Sequence, residues 1–197
     1  MSKILLIGNG PSVLENKFGD KIDGDEYDLV CRINRGHRQD NGEVNTQFKE
    51  NVGERCDIWF CSDLRTNLAI ERKKDYNQIF IYCPEFKYNE SLSKEINSTY
   101  PNITILPKEI EQEVNKICNF KPSWPSTGVI AIHYLFLTGD EVTIHGFDTY
   151  DFKYDTLHYF EDKPNKYKLD KNSDHLPKTE KDYLNFMIGN KNIKLLQ

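Results

Sequence analysis

The sequence has no long hydrophobic run and no excess of basic residues. No apolar stretch reaches the length of about 18 residues that a membrane-spanning helix needs, and no signal peptide precedes the first strand-like segment. The net charge of −5 leaves the chain without the basic excess that binding to a phosphate backbone requires. These absences argue against a transmembrane segment and against nucleic acid as a partner.

Paired cysteines are also lacking. The five cysteines form an odd set without a C-x-x-C pair, a pattern that favours free thiols in a reducing compartment over disulfides or a zinc site. We therefore expect a cytoplasmic protein. Lysines accumulate toward the C-terminus, but acidic residues lie between them, which favours a solvated face and leaves peripheral membrane contact as an alternative.

What the chain does contain is a series of short apolar runs. Runs of this length that are apolar on both faces are typical of strands in a parallel sheet. The runs are Lys3–Ile7, Leu29–Cys31, Ile58–Cys61, Ile79–Tyr82 and Ile103–Leu106. Glu141–His145 and Ile193–Leu196 are also predicted to be strands.

Helical patterns lie between or after these runs. Glu109–Ile117 carries apolar residues at helical spacing on one face, and Val129–Leu137 is apolar nearly all round, as in a buried helix. Thr179–Met187 is predicted to be the last helix. A chain of 197 residues suits one sizeable domain. The sequence thus predicts a single α/β domain over 1–197, with a mainly parallel sheet flanked by helices and a lid or active-site loop at 148–175.

Polar turns follow the first two predicted strands. Gly8, Asn9 and Gly10 follow the first strand, and the glycines would let the backbone approach a ligand closely. Arg32 and Asn34 follow the second strand, so the same sheet edge should collect all of these groups, where open α/β folds bind ligands. An ordinary tight turn, a surface ion pair of Arg32 and a turn cap by Asn34 are the structural alternatives.

Ser126, Thr127 and Gly128 precede the most apolar predicted helix. They offer hydroxyl groups, free backbone N–H groups and the positive end of the helix dipole, which together suit a phosphate or a carboxylate. A simple N-cap is the alternative interpretation.

The five histidines fall into different surroundings. His133 and His145 lie in predicted regular structure and are interpreted as structural, whereas His37 lies in an uninformative polar loop. His158 and His175 occupy the irregular segment that should overhang the sheet edge. Histidine titrates near neutral pH, so each could move a proton or stabilise a leaving phosphate.

No metal site is predicted. Asp148, Asp151 and Asp155 are near one another in sequence, but no Asp-x-Asp pair follows a strand end, and a solvated loop is the favoured interpretation. Glu180 is interpreted as structural, either orienting its region or capping the last helix through Thr179.

Taken in order, these segments resemble the motifs of the sialyltransferases of glycosyltransferase family 29, and the first turn also resembles bacterial sialyltransferases of family 42. The matching blocks are Ile4–Gly10 with Arg32–Asn34, Pro125–Gly128 with His145–Phe147, His158–Glu161, and His175 with Glu180.

The resemblance implies a Rossmann-like variant of the glycosyltransferase A fold and a metal-independent, inverting transfer from CMP-sialic acid to a hydroxyl of a glycan or glycolipid, with no further cofactor. By motif, His175 would be the general base and His158 would assist the departing phosphate. The same resemblance implies a set of substrate-binding residues, namely Asn9, Gly10, Asn34, Ser126, Thr127, Gly128 and Tyr159.

Two departures from the family pattern bear on function. The two cysteine positions that the family usually links by a disulfide carry other residues here, and Trp124 replaces a tyrosine before the Pro-Ser-Thr block.

Two alternatives stay open. One is a transferase for another CMP-sugar such as CMP-Kdo, and the other is a non-catalytic nucleotide-binding module.

Overall fold

A computed structural model describes residues 1–35, 44–148, 156, 158–161, 176–190 and 193–196. Most of the predicted lid at 148–175 lies outside these residues. The described chain folds into one sheet with helices. The strands are β1 (Lys3–Ile7), β2 (Leu29–Ile33), β3 (Ile58–Ser62), β4 (Gln78–Tyr82), β5 (Ile103–Ile105), β6 (Glu141–His145) and β7 (Lys194–Leu195).

The α-helices connect these strands. They are α1 (Gly19–Asp23), α2 (Lys49–Val52), α3 (Thr66–Glu71), α4 (Glu90–Thr99), α5 (Glu109–Ile117), α6 (Thr127–Leu137) and α7 (Pro177–Gly189). Every strand and helix predicted above is present, and the bounds of β1, β6 and α5 agree to the residue.

The strands form one parallel sheet in the order β5-β4-β3-β2-β1-β6-β7. The chain moves outward from β1 to β5 and then crosses back to place β6 on the other side of β1. The predicted α/β class with a parallel sheet is therefore confirmed. At such a switch point the loops after the two neighbouring strands diverge and leave a crevice between them.

The central strands are mostly apolar because helices cover both faces of the sheet. Successive side chains point to opposite faces, so Leu6 and Cys31 pack with α5, α6 and α7, whereas Leu5 and Val30 pack with Ile22 of α1. Helix α6 is apolar all round since it is buried among these elements, and no helix within the described ranges is both long and apolar enough to span a bilayer.

Arg32 departs from its expected place. Strand β2 continues to Ile33, so Arg32 lies inside the strand with only 2% of its surface exposed. Its Nε donates to the carbonyl of Arg55 at 2.8 Å and its Nη2 to the carbonyl of Val52. The expectations of a crevice-facing side chain and of a surface ion pair were both wrong, because the strand alternation turns Arg32 toward the loop after α2.

The prediction of thiols without disulfides is confirmed, since no disulfide joins any of Cys31, Cys56, Cys61, Cys83 and Cys118. Two of them, Cys31 and Cys61, are buried, and burial raises the pKa of both thiols, which keeps them protonated and unreactive.

Candidate active site

A cleft with a volume of about 350 Å³ opens at the carboxyl ends of β1, β2, β3, β4 and β6. The loops after these strands, the start of α6 and one buried side chain of α7 form its walls. The described lining residues include Asn9, Gly10, Asn34, Ser62, Asp63, Tyr82, Lys87, Trp124, Ser126, Thr127, Gly128, Asp148, His158 and Glu180.

Backbone contacts hold the loops after β1 and β6 together. The N–H of Gly8 donates to the carbonyl of His145 at 2.7 Å, and the N–H of Gly10 donates to that of Gly146 at 2.9 Å. A side chain at position 8 would place its Cβ 2.3 Å from the Gly146 carbonyl oxygen, so only glycine permits this approach. The Asn9 side chain donates to the Ile33 carbonyl at 3.1 Å, which links this loop to β2.

Asn34 follows β2 in the left-handed region, with φ of 49°. Its carbonyl accepts from Trp59 Nε1 at 2.8 Å, and its side-chain oxygen accepts from the N–H of Ser62 at 3.1 Å. With that oxygen engaged, the amide nitrogen is the group of this side chain that can donate to a ligand. Asn34 thus does more than cap a turn, since it also joins the ends of β2 and β3.

The start of α6 presents a set of donors. Ser126 is the N-cap, and its Oγ accepts from the N–H of Val129 at 3.3 Å. The first N–H groups of a helix have no acceptor within the helix, which leaves those of Thr127 and Gly128 for a ligand. The N-cap interpretation and the anion-site interpretation are therefore compatible. Gly128 lies close to Phe147 and Ile33, where an added Cβ would come within 3.0 and 3.3 Å of their side chains.

His158 lies at the cleft with a fixed ring. Its Nδ1 is 2.7 Å from Oε1 of Glu161, and its ring stacks on Phe160 with 5.2 Å between the centroids. A carboxylate at Nδ1 favours the proton on that nitrogen and leaves Nε2 for a ligand. The side chain is 37% exposed, as access to a substrate requires.

The Tyr159 side chain is not at the cleft, and the expectation of a direct substrate contact is corrected. Only 4% of Tyr159 is exposed, and its ring packs edge-on against Phe48 at 5.2 Å, in a small cluster with Val13 and Val52. Its N–H donates to the carbonyl of Asn9 at 3.0 Å. Neighbouring residues in an irregular segment point in different directions, so Tyr159 anchors the segment while His158 reaches the cleft.

The remaining histidines divide as expected where they are described. His133 is buried between Tyr183 and Glu113, at 3.0 and 3.3 Å from its two ring nitrogens, and burial lowers its pKa. His145 is also buried, and burial lowers its pKa as well. The burial of both side chains agrees with the interpretation of these histidines as structural. His37 and His175 lie outside the described residues.

Glu180, which the sequence analysis interpreted as structural, lines the cleft. It lies inside α7 with 6% of its surface exposed, and its N–H donates to the carbonyl of Leu176 at 2.9 Å. Leu176 is the N-cap of α7 and makes no side-chain cap hydrogen bond, so the capping interpretation was wrong.

Asp148 also lines the cleft but is held by the protein itself. Its carboxylate accepts from both the N–H and the hydroxyl of Ser12, so the interpretation as part of a solvated loop was wrong for this residue. Asp151 and Asp155 lie outside the described residues. Across the described part of the chain, no group of three possible metal-ligating side chains occurs.

The ends of β3 and β4 contribute further residues that the sequence analysis missed. Asp63 and Lys87 form an ion pair with 3.6 Å between Oδ2 and Nζ, and both line the cleft. The Tyr82 hydroxyl donates to Glu111 at 2.9 Å, and burial, with the nearby carboxylate of Glu111, raises the Tyr82 pKa. The available signal was the rule already applied to β1 and β2, namely that residues after parallel strands meet at one edge.

The sheet order and the cleft at the switch point define a Rossmann-like α/β protein with a ligand site at the carboxyl edge of its sheet. A mammalian sialyltransferase, crystallised with Gal-β-1-3GalNAc-ortho-nitrophenol, has a similar fold with a TM-score of 0.64. That structure is 17% identical in sequence, and the match covers 99% of this chain and 69% of the mammalian one. No curated protein sequence matches significantly.

The family model of glycosyltransferase family 29 (sialyltransferase) matches residues 73–191, more than half of the chain. The chain therefore belongs to glycosyltransferase family 29. It is a glycosyltransferase of the sialyltransferase type, and the family implies a nucleotide-sugar donor and a glycan acceptor.

Proposed function

We propose that this protein transfers sialic acid from CMP-sialic acid to a hydroxyl group of a glycan or glycolipid, with inversion and without a metal ion. One observation carries the proposal. Asn9, Gly10, Asn34, Ser126, Thr127, Gly128 and His158 come from four distant parts of the chain and line a single cleft.

CMP-sialic acid has two anionic groups, a phosphate and a carboxylate. The cleft offers neutral or cationic hydrogen-bond donors for both. The N–H groups at the start of α6 meet one anion with the positive end of the helix dipole. The amides of Asn9 and Asn34 add hydrogen bonds, and the His158 imidazole, oriented by Glu161, donates from Nε2 when protonated. Donors fixed in this way stabilise negative charge that develops on a leaving phosphate.

In the proposed step, His175 removes the proton of the acceptor hydroxyl as its oxygen attacks the anomeric carbon. The bond from that carbon to the phosphate oxygen breaks, and CMP leaves on the opposite face, so the product has the inverted configuration. His158 meets the charge on the departing phosphate. The role of His175 rests on the sequence motif, since this residue lies outside the described part of the chain. Cys31, Cys61, Cys83 and Cys118 form no disulfide, which supports the prediction of a reducing, cytoplasmic compartment.

The proposal is tested by incubating the purified protein with CMP-sialic acid and simple galactosides, with and without EDTA. We expect CMP release and a sialylated product of inverted anomeric configuration by NMR, at equal rates in the two conditions. CMP-Kdo serves as the competing donor. Consumption of CMP-Kdo alone would reassign the donor, and tight CMP binding without consumption of any donor would indicate a nucleotide-binding module.

Removal of the Ser126 cap of α6 should lower both the stability of the fold and the affinity for CMP. Removal of a matched cap elsewhere should lower the stability alone. Ser126→Ala deletes the hydroxyl that caps α6, and Asn89→Ala deletes the equivalent cap of α4, whose oxygen accepts from Leu92 N–H at 3.0 Å. Each change should lower the free energy of unfolding by about 1 kcal/mol. Only Ser126→Ala should also raise the Kd for CMP, by about three- to tenfold, because only α6 begins at the cleft.

Urea unfolding measures the first effect and isothermal titration calorimetry with CMP measures the second. Equal CMP affinities in the two variants would remove the α6 terminus from the donor site.

A further inference from the structure

A buried polar link joins three helices below the cleft. The Tyr183 hydroxyl of α7 lies 3.0 Å from Nδ1 of His133 in α6, and His133 Nε2 lies 3.3 Å from Oε2 of Glu113 in α5. Tyr183 and His133 are 0% and 3% exposed. Apolar side chains could fill the same space without the cost of desolvating polar groups, so filling the core does not explain this pair.

The neighbours of His133 determine where its proton lies. A carboxylate accepts but does not donate, so Glu113 favours the proton on Nε2 and leaves Nδ1 as an acceptor. Burial lowers the pKa of His133, which keeps the ring neutral near neutral pH, and burial raises the pKa of Tyr183, which keeps its hydroxyl protonated. The Tyr183 hydroxyl therefore donates to Nδ1, and one chain of hydrogen bonds joins α5, α6 and α7.

Both α6 and α7 reach the cleft. Helix α6 begins there at Thr127, six residues or about 9 Å before His133. In α7, Glu180 lines the cleft and lies three residues before Tyr183, so their side chains lie on the same side of the helix. Helix α7 begins two residues after His175 in the chain. A rotation or slide of α7 at Tyr183 therefore moves Glu180 and the start of α7 relative to the start of α6.

Apolar packing also holds α7, but it constrains the helix less narrowly. Leu184 and Met187 lie in the main core cluster with the apolar residues of α6. The hydrophobic effect is non-directional, whereas a hydrogen bond weakens steeply when its donor and acceptor tilt or move apart. The bond between Tyr183 and His133 thus fixes the rotation and the axial position of α7 within the limits that this packing leaves.

We propose that His133 and Tyr183 are positioning residues, which hold α7, and with it Glu180 at the cleft, in register with the proposed donor site at the start of α6. This assignment rests on the proposed function. Loss of the link leaves the donor site on α6 in place but displaces α7 from the reacting atoms. It therefore lowers turnover and not donor affinity, because a misplacement of about 1 Å is enough to slow a reaction substantially.

The test compares Tyr183→Phe, His133→Leu and His133→Asn with the wild type. The first two remove the link and keep the approximate size of the side chain. Asparagine keeps an acceptor for Tyr183, since its side-chain oxygen takes a place near that of Nδ1. Tyr88→Phe is the matched control, because it removes a hydroxyl that donates to Ser93 Oγ of α4 at 3.2 Å.

With CMP-sialic acid and a galactoside, we expect Tyr183→Phe and His133→Leu to lower kcat about tenfold, while the Kd for CMP stays within about twofold of the wild-type value. His133→Asn and Tyr88→Phe should retain most of the wild-type kcat. Amide hydrogen exchange over 177–189, followed by mass spectrometry with CMP bound, should be faster in the two slow variants and unchanged in the other two.

Any of four results would overturn the assignment: wild-type kcat in Tyr183→Phe, a raised Kd for CMP in place of a lowered kcat, a His133→Asn enzyme as slow as His133→Leu, or equal exchange over 177–189 in Tyr183→Phe and the wild type. Failure of the proposed function is distinct, because the wild type would then consume no CMP-sialic acid, and hydrogen exchange alone would decide whether the link holds α7.

Discussion

Replacement of His175 by alanine is expected to lower kcat for sialyl transfer by about 100- to 10,000-fold, the range typical for loss of a general base. An acceptor hydroxyl is a weak nucleophile until its proton is removed, and no other residue takes this role in the proposed step. The affinity for CMP should change by less than about threefold, since the proposed nucleotide site consists of the α6 terminus and the amides of Asn9 and Asn34.

Steady-state kinetics with saturating CMP-sialic acid give kcat, and calorimetry gives the Kd for CMP. His37→Ala is the matched control, because it makes the same change at a histidine to which no role is assigned. A His175→Ala enzyme with wild-type turnover would remove this residue from the base role. Loss of CMP binding in the same variant would instead indicate a structural role.

Gly8→Ala is expected to lower the free energy of unfolding by about 1–3 kcal/mol and to weaken CMP binding at least about tenfold. The new Cβ would lie 2.3 Å from the Gly146 carbonyl oxygen, which also accepts from the N–H of Gly10 at 2.9 Å. Because the obstacle is backbone, no side-chain rotation relieves it. The loops after β1 and β6 must separate, and the cleft between them changes shape.

Gly189→Ala provides the control for this variant. It is the same substitution at the end of α7, where no atom lies within 4 Å of an added Cβ, so its stability should equal or slightly exceed that of the wild type. Urea unfolding and calorimetry with CMP measure both variants. A Gly8→Ala protein with wild-type stability and CMP affinity would contradict the close packing of the two loops.

The predicted sheet was confirmed because its strands are buried on both faces. Burial of this kind favours apolar side chains at most positions, and such runs are visible in the sequence without knowledge of any partner. Helix α6 was recognisable for the same reason. Arg32 shows where this reasoning fails: a charged residue inside a strand was taken as its end, whereas backbone carbonyls of Arg55 and Val52 accept hydrogen bonds from its Nε and Nη2.

Contacts at the site between residues that are close in sequence can be predicted from the sequence. Contacts between residues that are far apart in sequence cannot. His158 and Glu161 are three residues apart and belong to one motif. Asp63 and Lys87 are 3.6 Å apart in space and follow different strands. Their contact depends on β3 pairing with β4, and nothing in either segment encodes that pairing. Tyr159 shows that neighbours in sequence can also separate in space. The motif predicted that it binds substrate together with His158, but its ring packs against Phe48 in the core.

The amino-acid sequence by itself determined the α/β class, the parallel character of the sheet and the polar groups that follow β1, β2 and precede α6. These properties depend on local patterns of burial and on residue type. Only the tertiary structure decided which loops face one another, which side chains enter the cleft and that Asp63 and Lys87 meet there as an ion pair. Those depend on the strand order, and strand order is set by the packing of the whole chain.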